Sequence, residues 1–400
     1  MKSCAIFEIS NVTGFNDLIK NKPSEILKLN KITCTTKNNE SYTIVRYNSK
    51  FITEDVVGTI GLLKSVILND ELNVIGYSPP KAYAYNTFLS LNPKKTEDII
   101  AEEFVDGVMI NVFWNPKLNL AGGWEISTRN SVGAEIFVKK ENPKKTYFNL
   151  FKETMNRVNL QVHDLDKSFC YSFIMQHPSI PNISKYQTIE LYLIDVYEIV
   201  QTENGKINIF QIERSKVVSS LKNTSVKFPE IDNDWENYDH LKSKYASVTT
   251  PFQYKGIILR NARNGQRSKI CNPAYSFVKQ MKCVGKKELY KYLFLRHSGK
   301  VNEFLKLNPE YKKKFGIFRT YIHEFTNELH KNYINRFIEK KGTENVIKVF
   351  ESHLNNLHYM YLTKLRLEKE CVTNIIVQKY VNAMKPEFLF FCLDNTKTSF

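Results

Sequence analysis

The residues predict an α+β chain, strand-rich over 1–285 and all-helical over 286–400. Three observations carry that expectation. Up to about residue 285, short β-branched and aromatic runs alternate with Asn, Gly, Pro and Asp, as strands joined by turns require. Beyond it, apolar residues recur every three or four positions, the period of a helix with one buried face. Four hundred residues, 42% hydrophobic and 13% aromatic, suit two packed domains and exclude wholesale disorder.

The strand candidates, in order, are residues 42–47, 72–77, 108–114, 169–175, 190–200 and 256–259. Residues 228–245, rich in Asn, Asp and Lys, are expected to form a long surface loop. Residues 286–292 and 301–307 then read as short helices. Phe318, Ile322, Phe325, Leu329, Tyr333 and Phe337 share one face of a longer one. Thr343 can cap the next helix, whose stripe is Val346, Val349, Phe350, Leu354, Leu357, Tyr361 and Leu365. A third begins near Thr373 and carries Ile376, Tyr380 and Val381.

Fifty-seven Lys and Arg against 41 Asp and Glu leave a charge of +16, a field that attracts polyanions, with RNA the leading partner. Between residues 281 and 340, 14 Lys or Arg face 6 Glu. Lys312, Lys313, Lys314 and Arg319 are therefore candidate RNA-binding residues, with a merely solvated helix face as the competing reading. The seven cysteines form no C-x-x-C pair or zinc-finger spacing, which points to free thiols and no metal site. With no apolar leader and no run near the ~20 residues of a membrane span, the expectation is a soluble, cytoplasmic protein without a membrane partner.

Several segments then occur in a telling order. LLKSVIL at 62–68 precedes SPPKAYAY at 78–85. Phe104-Val105-Asp106-Gly107 follows about two dozen residues after Lys81, and leads into the apolar run VMINVFW. GWEISTRNSVGA at 123–134 comes next, then YSFIMQHPSIPNISKY at 171–186 with LYLIDVYEI behind it. Tyr254-Lys255-Gly256-Ile257-Ile258-Leu259 and Arg267-Ser268-Lys269-Ile270 close the series.

This order resembles the ATP-dependent RNA ligases, especially the phage T4 type, within the covalent nucleotidyltransferase superfamily. The resemblance covers residues 40 to 285 and implies a nucleotidyltransferase domain of antiparallel sheets over 1–285, followed by a basic helical domain over 286–400. It also implies three departures. Phe104 stands where the family carries its nucleophilic lysine, Ile174 where a glutamate belongs, and Lys255 where a second glutamate belongs. Arg129, Arg267 and Lys269 keep the family's basic positions.

Phenylalanine has no lone pair with which to attack the α-phosphate of ATP. Ile174 can coordinate nothing, and Lys255 would repel a cation that the reaction uses to neutralise triphosphate charge. The expectation is thus a pseudoenzyme that binds RNA or nucleotide ends through a basic groove and can serve as a subunit of a larger nucleic-acid machine. The residues expected to contact phosphate are Asp106, Gly107, Arg129, Lys255, Arg267 and Lys269, with Lys81 on the RNA side. Asp106-Gly107 also has a plain reading as a turn before a strand. Lys255 is of interest because an ammonium there can hold phosphate oxygens without a metal.

Two rivals remain open. One is an active ligase using ATP and Mg2+ with a displaced lysine, for which Lys64, Lys81, Lys255 and Lys269 are candidates. The other is a structural or protein-interaction subunit without a groove ligand. The Asn-, Lys- and Ile-rich composition and the resemblance to ligase-like proteins of large DNA viruses suggest a virus-encoded protein of the host cytoplasm or virion. Trp114, Trp124 and Tyr254 can stack on bases, although packing is the plainer use of each.

Overall fold

The computed structural model describes residues 5–19, 25–34, 40–119, 121–138, 145–181, 186–247, 250–251, 253–283, 288–341 and 348–396. The chain divides into two compact units, Met1–Ser276 and Phe277–Phe400.

Strands of the first unit are β1 (Ile6–Glu8), β2 (Leu27–Cys34), β3 (Glu40–Tyr47), β4 (Val66–Leu68), β5 (Val74–Tyr77), β6 (Ile99–Glu103), β7 (Val108–Asn115), β8 (Gly123–Ser127), β9 (Phe169–Gln176), β10 (Glu190–Gln201), β11 (Ile207–Ile212), β12 (Ile231–Asp232), β13 (Gly256–Asn261) and β14 (Arg267–Cys271). They form a six-stranded sheet in the order β1-β11-β10-β9-β7-β8 and two four-stranded sheets, β12-β6-β13-β14 and β2-β3-β4-β5. Every ladder between these strands is antiparallel. Its helices are α1 (Phe15–Ile19), α2 (Tyr85–Leu91), α3 (Tyr147–Arg157), α4 (Ser215–Val218) and α5 (Tyr238–Tyr245).

Side chains on a strand alternate between faces, so each sheet can bury two different sets. One face of the six-stranded sheet packs on the β2-β3-β4-β5 sheet through Phe7, Ile44, Val66, Tyr77, Phe113 and Tyr197. There the Tyr77 and Tyr197 rings meet edge to face at 5.0 Å. The other face buries Ile110, Val112, Tyr171 and Phe173 against Leu150 and Phe151 of α3. A third core closes the β6-β13 sheet with Phe88 of α2, Trp235, and Tyr238 and Leu241 of α5.

The division falls within α6 (Pro273–Cys283). The second unit holds α7 (Glu288–His297), α8 (Val301–Leu307), α9 (Lys312–Phe337), α10 (Lys348–Met360), a π-helical turn at Tyr361–Leu365, α11 (Asn374–Ala383) and α12 (Pro386–Thr396). Phe315, Ile322, Phe325, Leu329 and Tyr333 of α9 share one core with Phe350, Leu354 and Leu357 of α10 and with Val377, Val381, Leu389 and Leu393. Thr373 caps α11 by accepting the Ile376 amide at 3.4 Å. Thr343 and Val346, expected at the start of the second helix, and residues 286–287 lie outside the described residues.

Two expectations are corrected. Residues 228–245 are not one loop: Asn237 accepts the His240 amide at 2.9 Å and starts α5, while Trp235, Tyr238 and Leu241 enter the core. Polar composition hid an apolar triplet at helical spacing. Leu72 belongs to the turn before β5, at φ 64°, rather than to the strand. No helix among the described residues is long and apolar enough to cross a membrane. Cys170, Cys271 and Cys371 are free thiols, and Cys392 Sγ lies 3.2 Å from His353 Nε2.

Candidate functional site

The segment 104–106 leaves β6 and runs beside the start of β13, with the Phe104 amide donating to the Gly256 carbonyl at 3.3 Å. Both glycines of this crossing are obligatory. Gly107 has φ +147°, and a Cβ there would lie 2.6 Å from both Ile174 Cγ2 and the Met175 carbonyl oxygen. Gly256 has φ +129°, and its Cβ would lie 2.0 Å from the Ile270 carbonyl oxygen. Neither conformation is open to residues with side chains. Asp106-Gly107 is thus a turn residue pair before β7, and close packing requires the glycine.

Lys255 reaches across this crossing. Its Nζ stands 3.2 Å from Asp106 Oδ1, 3.4 Å from the Val105 carbonyl and 4.1 Å from the centre of the Phe104 ring. Lys269 Nζ, on β14, lies 5.1 Å from the same ring. Phe104 is therefore held between two ammonium groups, a cation–π arrangement. Asp106 also accepts the Tyr275 hydroxyl at 2.7 Å, while Gln176 Nε2 donates to its backbone carbonyl at 2.8 Å. Burial, then the charge of Asp106, raises the Tyr186 phenol. Ile174, only 8% exposed, packs with Val105 and Ile194 into a small apolar cluster beside Met109 and Tyr192.

These positions do not fit a metal ion. Lys255 neutralises Asp106, Ile174 offers no donor, and no group of three His, Cys, Asp or Glu among the described residues is placed for a cation. No step through a metal–ATP complex can be built on them.

A second feature lies between the six-stranded sheet and the β6-β13 sheet. Asp195 of β10, 1% exposed, takes Arg260 Nη1 at 2.8 Å, Arg267 Nη1 at 3.1 Å and Gln211 Nε2 at 2.8 Å. Glu102 of β6, also 1% exposed, takes Arg260 Nη2 at 2.6 Å and pairs with Arg214. Burial works against the Asp195 carboxylate, but Arg260, Arg267 and Arg214 outweigh it and hold it below its ordinary value. The network pins Arg267, and with it β14, to the neighbouring sheet.

From β14, Arg267 and Lys269 act on Lys64, on the turn before β4. Burial first, then the charges of Arg267, Lys269 and Arg129, bring its amine down from 10.5 to about 7, with Asp195 opposing them. Arg129, after β8, lies 5.6 Å over the Tyr47 ring and 3.4 Å from its hydroxyl, and it also lowers Arg46, whose main burden is burial. Arg46 Nη1 donates to the Asn130 side chain, and its buried Nε has no hydrogen-bond partner among the described residues. The charges of Arg267, Lys269 and Arg129 thus act together on Lys64, while Arg267 is itself paired with Asp195.

The other sequence candidates lie elsewhere. Lys81 follows β5, tied by its amide to the Gly61 carbonyl at 2.9 Å. Lys312, Lys313, Lys314 and Arg319 are on α9 of the helical unit, where Lys314 pairs with Glu288 at 2.9 Å. Trp114 and Trp124 pack on each other at 5.5 Å, whereas Tyr254 is 62% exposed. Asp195, Glu102, Arg260 and Tyr275 were missed. The available signal was Asp195 itself, a lone acid inside the apolar run LYLIDVYEI, since an isolated charge in a buried strand needs a buried partner.

No protein-family model matches the chain. An RNA ligase of Rhodothermus phage RM378 is 24% identical over 260 residues, covering 58% of this chain and 56% of its own length. The chain therefore spans about half the length of this curated relative. Among solved structures, a Naegleria gruberi RNA ligase mutant with ATP and Mn aligns at 16% identity over 49% of this chain and 56% of its own, TM-score 0.34. An archaeal ATP-dependent RNA ligase aligns at 10% identity over 73% and 68%, TM-score 0.38. In its match to the phage relative and in the order of its motif segments, this chain is similar to RNA ligases.

Proposed function

We propose that the protein is a catalytically degenerate RNA ligase-like protein that binds phosphates of RNA, or of nucleotide-bearing ends, through the basic face of Lys64, Arg129, Arg267 and Lys269, without a divalent cation. The observation that carries this reading is Lys255: its ammonium sits 3.2 Å from Asp106 and 4.1 Å over the ring of Phe104. In the family this chain resembles, that neighbourhood offers an amine nucleophile and carboxylates; here it offers a phenyl ring and a paired cation. What remains is Lys64 under the charges of Arg129, Arg267 and Lys269, a repulsion that an oxyanion would relieve.

Lys81 belongs to the same proposal in the first unit, and the α9 residues Lys312, Lys313 and Arg319 are a separate proposed RNA-binding set in the helical unit. Association with a larger nucleic-acid machine and a viral, cytoplasmic setting are part of the same proposal. The test is RNA binding as a function of salt. Four neutralised phosphates predict a single-strand slope near roughly −2.8, so affinity falls roughly fifty-fold from about 50 to 200 mM salt. Absence of binding at low salt would remove the reading.

One observation favours a rival. An amine brought down to about 7, as at Lys64, is about half in its neutral, nucleophilic form at neutral pH. Were Lys64 a displaced nucleophile for ATP, α-labelled ATP with Mg2+ or Mn2+ would leave a covalent label that survives denaturation and disappears in Lys64→Met. The degenerate reading expects no label.

A further inference from the structure

We propose that Tyr254 is a base-stacking residue: its ring receives one unpaired nucleobase of a bound single strand, beside the strand that carries Arg267 and Lys269. The inference rests on the RNA-binding reading and names the form of RNA that the site takes.

Three aromatic side chains were candidates to meet a base, and the fold leaves one of them open. Trp114 has Lys167 Nζ 4.1 Å from its ring centre, Trp124 edge-on at 5.5 Å, and Gly122 so close that a Cβ there would lie 2.5 Å from Cζ2. Trp124 is covered further by Tyr171 at 6.3 Å. Tyr254 is 62% exposed, and among the described residues its side chain has no hydrogen bond and no ring contact.

The exposed ring stands on a backbone that is held. Asn272, fully buried, donates from Nδ2 to the Tyr254 and Pro251 carbonyls, each at 2.9 Å, and its amide donates to the Lys255 carbonyl at 3.0 Å. The Tyr254 amide donates to the Pro251 carbonyl at 3.1 Å. Both backbone polar groups of Tyr254 are thus satisfied within the protein, and the ring is left to solvent. A tyrosine ring in water forgoes the stabilisation that burial brings. On a fixed backbone, however, a flat ring with two side-chain torsions loses little entropy when a base covers it.

Strand register sets its position. Gly256, two residues after Tyr254, pairs with Cys271 of β14. Cys271, Lys269 and Arg267 alternate on that strand and so share one face, with Lys269 about 7 Å along from Cys271. Lys255, between Tyr254 and Gly256, is engaged with Asp106 and the Phe104 ring. A chain whose phosphates follow β14 therefore brings a base to Tyr254. That base must be unpaired, because a duplex keeps its bases stacked on one another.

The test uses the full chain with a short hydroxyl-ended oligoadenylate, an abasic ribose-phosphate oligomer of the same length, and the oligoadenylate paired with oligouridylate. Affinities are measured by fluorescence anisotropy across a salt series for the wild type, Tyr254→Ala, Tyr254→Phe and Tyr254→Trp, and thermal melts show that each variant is folded. Tyr254→Ala should weaken oligoadenylate binding by roughly five- to a hundredfold with the salt slope unchanged, since no charge is lost, while Phe and Trp stay within about twofold of the wild type. The abasic oligomer and the duplex should bind the wild type and Tyr254→Ala alike. Three results would overturn the stacking assignment while leaving phosphate binding standing: a Tyr254→Ala variant that binds oligoadenylate as tightly as the wild type, an equal loss on the abasic oligomer, or a Tyr254→Phe variant as weak as Tyr254→Ala. Failure of the wild type to bind any of the three in low salt would overturn the RNA-binding reading itself.

Discussion

Replacing Asp195 with asparagine removes one charge and almost no volume, from a side chain that is 1% exposed. The carboxylate accepts charged hydrogen bonds from Arg260 at 2.8 Å and Arg267 at 3.1 Å. Charge-assisted bonds are each worth about 1.5–3 kcal/mol, and breaking one side of a buried ion network costs about 3–5 kcal/mol because the partner charges stay buried. The Asp195→Asn change would also turn an amide NH2 towards two guanidinium groups, leaving Glu102 as the counter-charge for Arg214 and Arg260 and removing the carboxylate that Arg267 pairs with. We expect a loss of about 4 kcal/mol in the first unit. Urea unfolding followed by tryptophan fluorescence reads that unit selectively, since Trp114, Trp124 and Trp235 all belong to it. A pH series tests the sign. The folded-state carboxyl lies below its unfolded value, so its contribution is present above about pH 4 and is lost on acidification through the folded value. The gap between wild type and variant should therefore narrow at acid pH. A loss under about 1 kcal/mol, or a gap independent of pH, would show that the network does not hold the two sheets together.

Two further outcomes follow from the same structure. Gly107→Ala places a methyl 2.6 Å from Ile174 Cγ2 and from the Met175 carbonyl at φ +147°, so a destabilisation above about 2 kcal/mol is expected in denaturant unfolding. In the helical unit, burial lowers the His353 imidazole, whose ring bonds Tyr380 OH at 2.9 Å. Its stabilisation is intact above the unfolded value near about 6.5 and declines as pH falls below it, because the unfolded state protonates first. Thermal melts followed by helical circular dichroism should show this decline in the wild type and less of it in His353→Gln.

The family resemblance was legible because its signals are local. Asp106-Gly107 and Lys255-Gly256 mark places where only glycine fits, and such places leave a dipeptide in the sequence. The sequence reading takes Phe104, Ile174 and Lys255 as replacements because the neighbouring segments keep the order of the resembled family. The sequence alone could not show that Lys255 pairs with Asp106, 149 positions earlier, or that Phe104 lies between Lys255 and Lys269. Lys64 entered the sequence reading only as one of four candidate lysines. Its distinct character comes from burial and from Arg129, Arg267 and Lys269, which two distant segments bring to it. Residues 228–245 were misread for a related reason, since Trp235, Tyr238 and Leu241 are too few to outweigh a polar average until a sheet is present to bury them.

The residue order by itself determined that the chain is strand-rich before residue 285 and helical after it, though not α2, α3 or α5, because period two and period three-to-four patterns are read from neighbours along the chain. It also supplied the expectation that Phe104, Ile174 and Lys255 stand where the resemblance calls for a lysine and two glutamates. Tertiary structure alone decided how the charges are used: Asp195 and Glu102 buried with three arginines, Lys255 closed onto Asp106, and Lys64 surrounded by cations. The reason is that electrostatic energy depends on distance and burial, and both are set by chain segments that meet only when the sheets pack.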